Sequence, residues 1–217
     1  MKVKKPLVSI MLILSGIILG ALLLSAVFAL TGFSLFGRNH NSSTSGDEAG
    51  NAALITLAYT VLEHIRDEDY QALSQVVHPE AGVVFTPYAT VNLSTDRRLG
   101  ADQIAVLNTD TNIYIWGVYN GSGEPIELTQ AEYFKQFIPA ENCLKASIIG
   151  VDQIVRSGNA LENITDELPD VKFVDFHMPA SPGTSMEDYD WSSLKLGFEE
   201  FEGRLWLIAV VTSKWTA

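Results

Sequence analysis

The chain has 217 residues, 47% of them hydrophobic and 18% charged, a length that accommodates one membrane segment and one domain of ordinary size. Three of its 14 Lys+Arg residues precede position 6 and no acidic residue does. The rest of the chain therefore sets 11 basic against 26 acidic residues, a charge of −15. A body this acidic is not drawn to nucleic acid or to an anionic membrane surface, so we expect no nucleic-acid partner.

The N-terminal part of the chain has the pattern of a membrane signal anchor. Lys2, Lys4 and Lys5 come first, and residues 6–37 then carry no charge. A helix of about 20 apolar residues spans a bilayer, and positive residues stay on the cytoplasmic side. We predict a cytoplasmic tail (1–5), a transmembrane anchor (6–36), a flexible linker (37–50) and an extracytoplasmic domain (51–217). Cleavage after Ala29 is the alternative.

Two glycines in the predicted span are four residues apart. Such a pair lets two membrane helices approach closely, so Gly16 and Gly20 allow a homodimer. The alternative is that glycine is simply common in membrane helices. The sequence leaves both interpretations open.

The first part of the body is predicted to be helical. Over 51–66, apolar residues recur at helical spacing and form a single stripe. An acidic break at 67–69 is followed by a short helix that His78-Pro79 ends, because the residue before proline disfavours helical angles. A third helix is predicted from the capping box at Thr129 to about Ile138.

The remaining elements are predicted strands, with Pro87 placing the first of them at a sheet edge or a bulge. The last two form a hairpin around Glu202-Gly203, and we predict the pairs Phe198–Leu207, Leu196–Ala209 and Leu194–Val211. The predicted strands are 83–91, 113–119, 124–128, 147–155, 171–178, 194–201 and 204–211.

Two stretches of the body resemble the NTF2-like (cystatin-like α+β) superfamily. They are LEHIRDEDYQALSQVVHP at 62–79 and FEEFEGRLWLIAVV at 198–211. Two others, at 78–91 and 116–137, resemble a group of exported bacterial proteins. The superfamily resemblance implies an α+β domain with a curved, mostly antiparallel sheet packed by N-terminal helices. The superfamily contains isomerases, dehydratases and many non-catalytic binding modules.

Two sets of residues are candidates for a site. Asp175 and His177 are two apart on a strand and share a face, as a carboxylate and an imidazole need to do for acid–base work. This face is opposite the more apolar face of the same strand, so the alternative is that both side chains are solvated. Tyr88, Trp116 and Tyr119 lie near turns and strand ends, where aromatic residues either line a pocket or fill a core.

The sequence shows no recognised cofactor motif, and its four histidines lack metal-ligand spacing, so we expect neither a cofactor nor a metal. The lone Cys143 is expected to be a buried thiol, with an intermolecular bridge as the alternative. We therefore expect a non-catalytic module that binds a small molecule or a protein partner outside the cytoplasm. The alternative is a small cavity enzyme of the isomerase or dehydratase type.

The uncharged run leads to a testable topology. The chain is expected to stay with the membrane after carbonate extraction, because a charge-free segment of this length partitions into the bilayer. Protease added to spheroplasts should digest the body. Recovery of the full-length chain in the cytosol would contradict this topology, and a soluble exported form beginning near Leu30 would show a cleaved signal instead.

Overall fold

A computed structural model describes residues 45–181, 183 and 189–215. The predicted cytoplasmic tail and transmembrane anchor lie outside these residues. The described residues belong to one compact unit. Its helices are α1 (Ser45–Arg66), α2 (Tyr70–Ser74), α3 (Ala101–Ala105), α4 (Gln130–Phe137), α5 (Ala140–Cys143) and α6 (Ile164–Glu167), with a 3-10 turn at Leu107–Thr109.

Helix α1 begins at Ser45, within the stretch predicted as a linker, and buries the apolar stripe that the sequence indicates. Along this stripe, Leu54, Ala58 and Leu62 are at most 1% exposed. The ring of Tyr59 meets the edge of Phe176 in the sheet at 5.3 Å between centroids. After the acidic break, the Asp69 carboxylate accepts the N–H of Ala72 and caps α2.

A mixed sheet of six strands forms the centre of the domain. The strands are β1 (Val83–Thr86), β2 (Arg97–Leu99), β5 (Ile148–Val151), β6 (Lys172–Met178), β7 (Ser192–Phe201) and β8 (Arg204–Lys214). Their order in the sheet is β2-β1-β8-β7-β6-β5. Strand β1 runs parallel to β8, and the other neighbours are antiparallel.

A separate two-stranded ribbon joins β3 (Ile113–Val118) to β4 (Pro125–Thr129). The ribbon leads directly into α4, whose first turn has the predicted capping box: the Glu132 carboxylate accepts the Thr129 N–H, and the Thr129 hydroxyl accepts the Glu132 N–H. Residues of α4, the ribbon and α1 pack with one face of the six-stranded sheet into the main apolar core. A smaller apolar cluster lies on the other face.

These findings correct the fold-class prediction of a transmembrane helix followed by an NTF2-like domain. The domain is α+β, and its sheet is mixed because β1 pairs with β8 in parallel. No helix in the described part of the chain has both the length and the apolar character that crossing a bilayer requires.

The closing hairpin forms where it was predicted, but its register shifts at a bulge. Phe198 pairs with Leu207 as expected, whereas Gly197 pairs with Ala209, which leaves Ile208 as an extra residue. Beyond the bulge, Leu196 therefore pairs with Val210 and Leu194 with Thr212. The predicted pairs Leu196–Ala209 and Leu194–Val211 are wrong by this one residue.

The turn of this hairpin generates a stability prediction. Both of its residues have positive φ, 53° at Glu202 and 75° at Gly203, and a two-residue turn of this type favours Asn-Gly. Because Asn adopts the left-handed region more readily than Glu, Glu202→Asn should raise the free energy of unfolding by up to about 1 kcal/mol, as measured by urea denaturation. Glu200→Asn is the control: it changes an exposed strand residue to one that strands disfavour, and it should not stabilise the domain. An unchanged or lower stability of Glu202→Asn would contradict the prediction.

Candidate functional site

Asp175 and His177 lie on the face of β6 opposite α1, as their spacing indicates, but neither is solvated. Asp175 is 0% exposed and His177 4%. Residues 152–168, which we call the covering segment, lie over this face. The Val155 N–H donates to Asp175 Oδ2 at 2.9 Å, and Ile164 packs in the smaller apolar cluster. The pair therefore lies in a second buried layer.

Around this pair the chain assembles a cluster of polar side chains that we call the outer-face cluster. Register brings them together, because Asp175 pairs with Lys195, His177 with Ser193, and Ser193 in turn with Ser213. Glu162 enters the cluster from the covering segment. The outer-face cluster consists of Glu162, Asp175, His177, Ser193, Lys195 and Ser213.

An ion pair lies at the centre of the outer-face cluster. Lys195 Nζ is 2.9 Å from Oε2 and 3.2 Å from Oε1 of Glu162, and the two side chains are 0% and 7% exposed. The hydroxyl of Ser213 donates to Glu162 Oε1 at 2.8 Å. A buried pair of this kind needs such additional hydrogen bonds to offset the loss of hydration.

Asp175 adds a second carboxylate beside the same ammonium group. Burial raises its pKa, while the charge of Lys195 and the Val155 N–H act in the opposite direction. Its Oδ1 atom is buried and has no hydrogen-bond partner among the described residues. The environment of Asp175 therefore favours a neutral carboxyl group more than an exposed position would.

His177 has a hydroxyl and an indole as its close neighbours. Its Nδ1 lies 2.9 Å from Ser193 Oγ, and its ring centroid lies 5.7 Å from that of Trp191. Burial lowers its pKa, with smaller contributions in the same direction from the charges of Arg156 and Lys195. The imidazole is therefore held neutral at physiological pH.

Of the aromatic candidates, Trp116 belongs to the core. It is 0% exposed, stacks on Tyr133 at 4.1 Å between centroids, and donates its indole N–H to the Leu128 carbonyl. Phe85 and Phe137 complete this packing around the ring of Tyr133. The side of the sheet that faces α1 is thus filled with aromatic rings where the resemblance leads one to look for a cavity.

Tyr88 and Tyr119 are half-buried at the margin of this core. The ring of Tyr88 meets Phe137 edge-on at 5.9 Å, and burial raises the pKa of its hydroxyl. The backbone of Tyr119 closes the ribbon turn through bonds with Glu124 and Gly123. The structure does not bring the three aromatic candidates together with Asp175 and His177.

An open cleft of about 670 Å³ lies elsewhere, between the end of α1, the 3-10 turn, the start of α4 and α5. Its apolar lining consists of Ile65, Leu107, Ala131, Phe134, Ile138, Pro139 and Ala140. Its polar lining includes Arg66, Glu68, Tyr70, Asp110, Gln130, Lys135 and Glu141. None of the sequence candidates is among these residues.

Sequence reasoning missed both the cleft and the ion pair. Lys195 alternates with Leu194 and Leu196, a pattern typical of a solvated strand face, and Glu162 lies in a segment without periodicity. The cleft is formed by three stretches that are distant in sequence, 65–70, 107–111 and 129–142, so no local motif marks it. Cys143 is a buried free thiol as expected, and burial raises its pKa to about 12.

Within the described residues, no group of three or more His, Cys, Asp or Glu side chains could hold a metal ion. Comparisons with protein-family models, with curated proteins and with solved structures found no match to this chain. The NTF2-like resemblance therefore stays a prediction.

The burial of His177 has a consequence for acid stability. Its folded pKa is lowered from about 6.5 in an unfolded chain, so its neutral form contributes stability above that pH. This contribution is lost as the pH falls through 6.5 towards the folded value, because the unfolded chain then binds the proton more readily.

We expect the free energy of unfolding of His177→Asn to fall less steeply than that of the wild type between neutral pH and about pH 5. Urea denaturation at a series of pH values measures the two slopes. Asn keeps a polar group near Ser193 but does not titrate. Parallel curves for the two proteins would show that His177 does not contribute to the acid response.

Proposed function

We propose that this protein is a non-catalytic binding module whose site is the open cleft between α1, the 3-10 turn, α4 and α5. The observation that carries the proposal is the cleft's composition. Apolar side chains from several elements line it together with charged and amide groups. Ligand sites in proteins combine an apolar lining with a few polar groups that fix orientation.

The walls of the cleft are held in place before any ligand binds. Gln130 Nε2 donates to the hydroxyl of Tyr70 at 2.6 Å, and this bond joins α4 to α2 in a buried position. Phe134 packs edge-on against Tyr70 at 5.7 Å between ring centroids and is only 6% exposed. A preformed wall reduces the ordering cost that a ligand must overcome.

The charged groups around the cleft differ in how strongly they are engaged. Arg66 donates twice to the neighbouring Asp67 carboxylate, at 2.7 and 2.8 Å, and Glu141 pairs with Lys145. Glu68 and Lys135 add one acidic and one basic group to the lining. These features support a ligand with an apolar body and a polar end.

The alternative of a cavity enzyme requires an enclosed site with His177 or another titratable group in reach of a second one. His177 and Asp175 lie under the covering segment on the opposite face of the sheet and do not line the cleft. The space that the resemblance assigns to a cavity holds stacked aromatic rings. These observations favour binding over catalysis. The acidic body and the lysines ahead of the uncharged run support an extracytoplasmic location.

The test compares two tryptophan substitutions on α4. Ala131 is exposed and lines the cleft, so Ala131→Trp fills it, whereas Gln136 is exposed on the same helix outside the cleft. Molecules that co-purify with the full chain are identified by mass spectrometry, and their affinity is then measured by calorimetry. We expect Ala131→Trp to weaken binding at least about tenfold, or 1.4 kcal/mol, and Gln136→Trp to leave it unchanged.

Equal binding by both variants would place the ligand outside the cleft. A wild-type chain that carries no ligand, and gains no thermal stability from a library of amphiphilic small molecules and short peptides, would overturn the proposal.

A further inference from the structure

Besides His177, the outer-face cluster contains three ionisable side chains that are shielded from water and brought together by the sheet and the segment that covers it. Lys195 and Asp175 are both 0% exposed and are register partners on the antiparallel strands β7 and β6. Side chains directly opposite each other in such a pair have Cβ atoms about 4.5–5.5 Å apart, a gap that a lysine side chain is long enough to span. An amine and a carboxyl group thus share one small buried volume.

Glu162 is positioned to exchange a proton with the amine. Its two oxygens lie 2.9 and 3.2 Å from Lys195 Nζ, and the Ser213 hydroxyl fixes one of them. Asp175 accepts the Val155 N–H at Oδ2, and the Ser193 hydroxyl also acts on its carboxyl group, whereas Oδ1 has no hydrogen-bond partner among the described residues. The second carboxyl group is therefore held in place but only half satisfied.

The surroundings of Lys195, Asp175 and Glu162 favour an uncharged product over three ionised side chains. Phe173, Ile164 and Val211, on the same side of the sheet, are at most 3% exposed. Two carboxylates and one ammonium place three ionised groups in this layer, and burying ionised groups is costly even where they are paired. Burial also raises the pKa of Asp175, which increases its neutral, electrophilic form.

We propose that Lys195 and Asp175 join spontaneously through an amide bond between Nζ and Cγ, with Glu162 as the proton carrier. Glu162 first takes a proton from the Lys195 ammonium and leaves a neutral amine. The amine attacks Cγ of the neutral Asp175 carboxyl group. Glu162 returns its proton to the departing hydroxyl, the C–O bond breaks and water leaves. The new amide nitrogen then gives its extra proton to Glu162.

The atoms and charges of this step balance. An ammonium, a carboxylate and a carboxylic acid become an amide, a carboxylic acid and one molecule of water. No oxidant, metal or activated co-reactant is needed. The apolar side chains around the cluster exclude water, which opposes hydrolysis of the product. The fold also holds the reacting groups together as an intramolecular pair.

The amide bond would link the neighbouring strands β6 and β7 and close a covalent loop that contains the segment between them. Like a disulfide, such a link restricts the unfolded chain and so stabilises the folded state. Unlike a disulfide, it would survive reducing agents, in a chain whose single cysteine rules out an internal disulfide.

The experiment is mass spectrometry of the purified full chain, intact and after digestion. We expect the chain to be lighter than its sequence by one water. Trypsin should fail to cut after Lys195 and yield residues 173–204 as one peptide, also lighter by one water. Chymotrypsin should then leave two peptides joined through Lys195 and Asp175.

Full mass with normal cleavage after Lys195 would overturn the proposal. Loss of water with normal cleavage there would also overturn it, because that result indicates a cyclic imide at Asp175 instead. A linkage from Lys195 to Glu162 would overturn it as well, by assigning the wrong carboxyl group. These results come from the wild-type chain, so they do not depend on how well any variant folds.

Two glutamate variants test the role of Glu162. Glu162→Gln keeps the size of the side chain but cannot carry the proton, and we expect the full, unlinked mass. Glu167→Gln changes an exposed carboxylate of α6 and should stay fully linked. Lys195→Arg removes the nucleophile, keeps the charge and should also give the full mass. A linked Glu162→Gln chain would overturn the assigned role of Glu162.

Discussion

The hydrogen-bonded ladder between β7 and β8 is the interaction on which the rest of this domain depends. It extends from Ser192–Lys214 to Phe201–Arg204, and most of its residues are buried on both faces. Strand β8 also accepts β1 on its other side, and strand β7 accepts β6. Each remaining layer packs against this central pair, so its register decides which side chains meet above and below the sheet.

The two faces of the central pair have opposite chemistry. Towards α1, residues such as Leu194 and Leu196 meet aromatic rings, and hydrophobic burial stabilises that side. On the other face, Ser193 and Lys195 of the same strand meet Glu162 and Asp175 under a segment with little regular structure. The polar groups on that face must satisfy one another, which makes their arrangement specific and sensitive to proton transfer.

Local signals in the sequence were sufficient for much of the fold. The stripe of α1, the capping box at Thr129 and the closing turn each depend on residues close in sequence, and each forms as predicted. The bulge at Ile208 was not predictable, because it depends on tertiary packing around Gly197, where an added Cβ atom would lie only 2.9 Å from Val171 Cγ2 and 3.0 Å from Ala209 Cβ.

The burial of Asp175 was not predictable either, and the sequence could not decide between a core and a pocket position for Trp116. Both placements depend on the covering segment and on α4, whose positions are set by tertiary packing. The cleft joins four elements in the same way, so a single sequence identifies its members only as ordinary surface and core residues.

The Asn163 side chain fastens the covering segment to the loop after β1. Its amide accepts the Val91 N–H at 2.7 Å and donates to the Val91 carbonyl at 3.0 Å, as a neighbouring strand would. Asn163-Ile164-Thr165 is also a glycan acceptor triplet, and a sugar on that nitrogen would break the clasp. In a yeast or mammalian secretory pathway, glycosylation of Asn163 would therefore compete with folding. Thr165→Ala removes the acceptor signal at an exposed position and leaves the clasp intact.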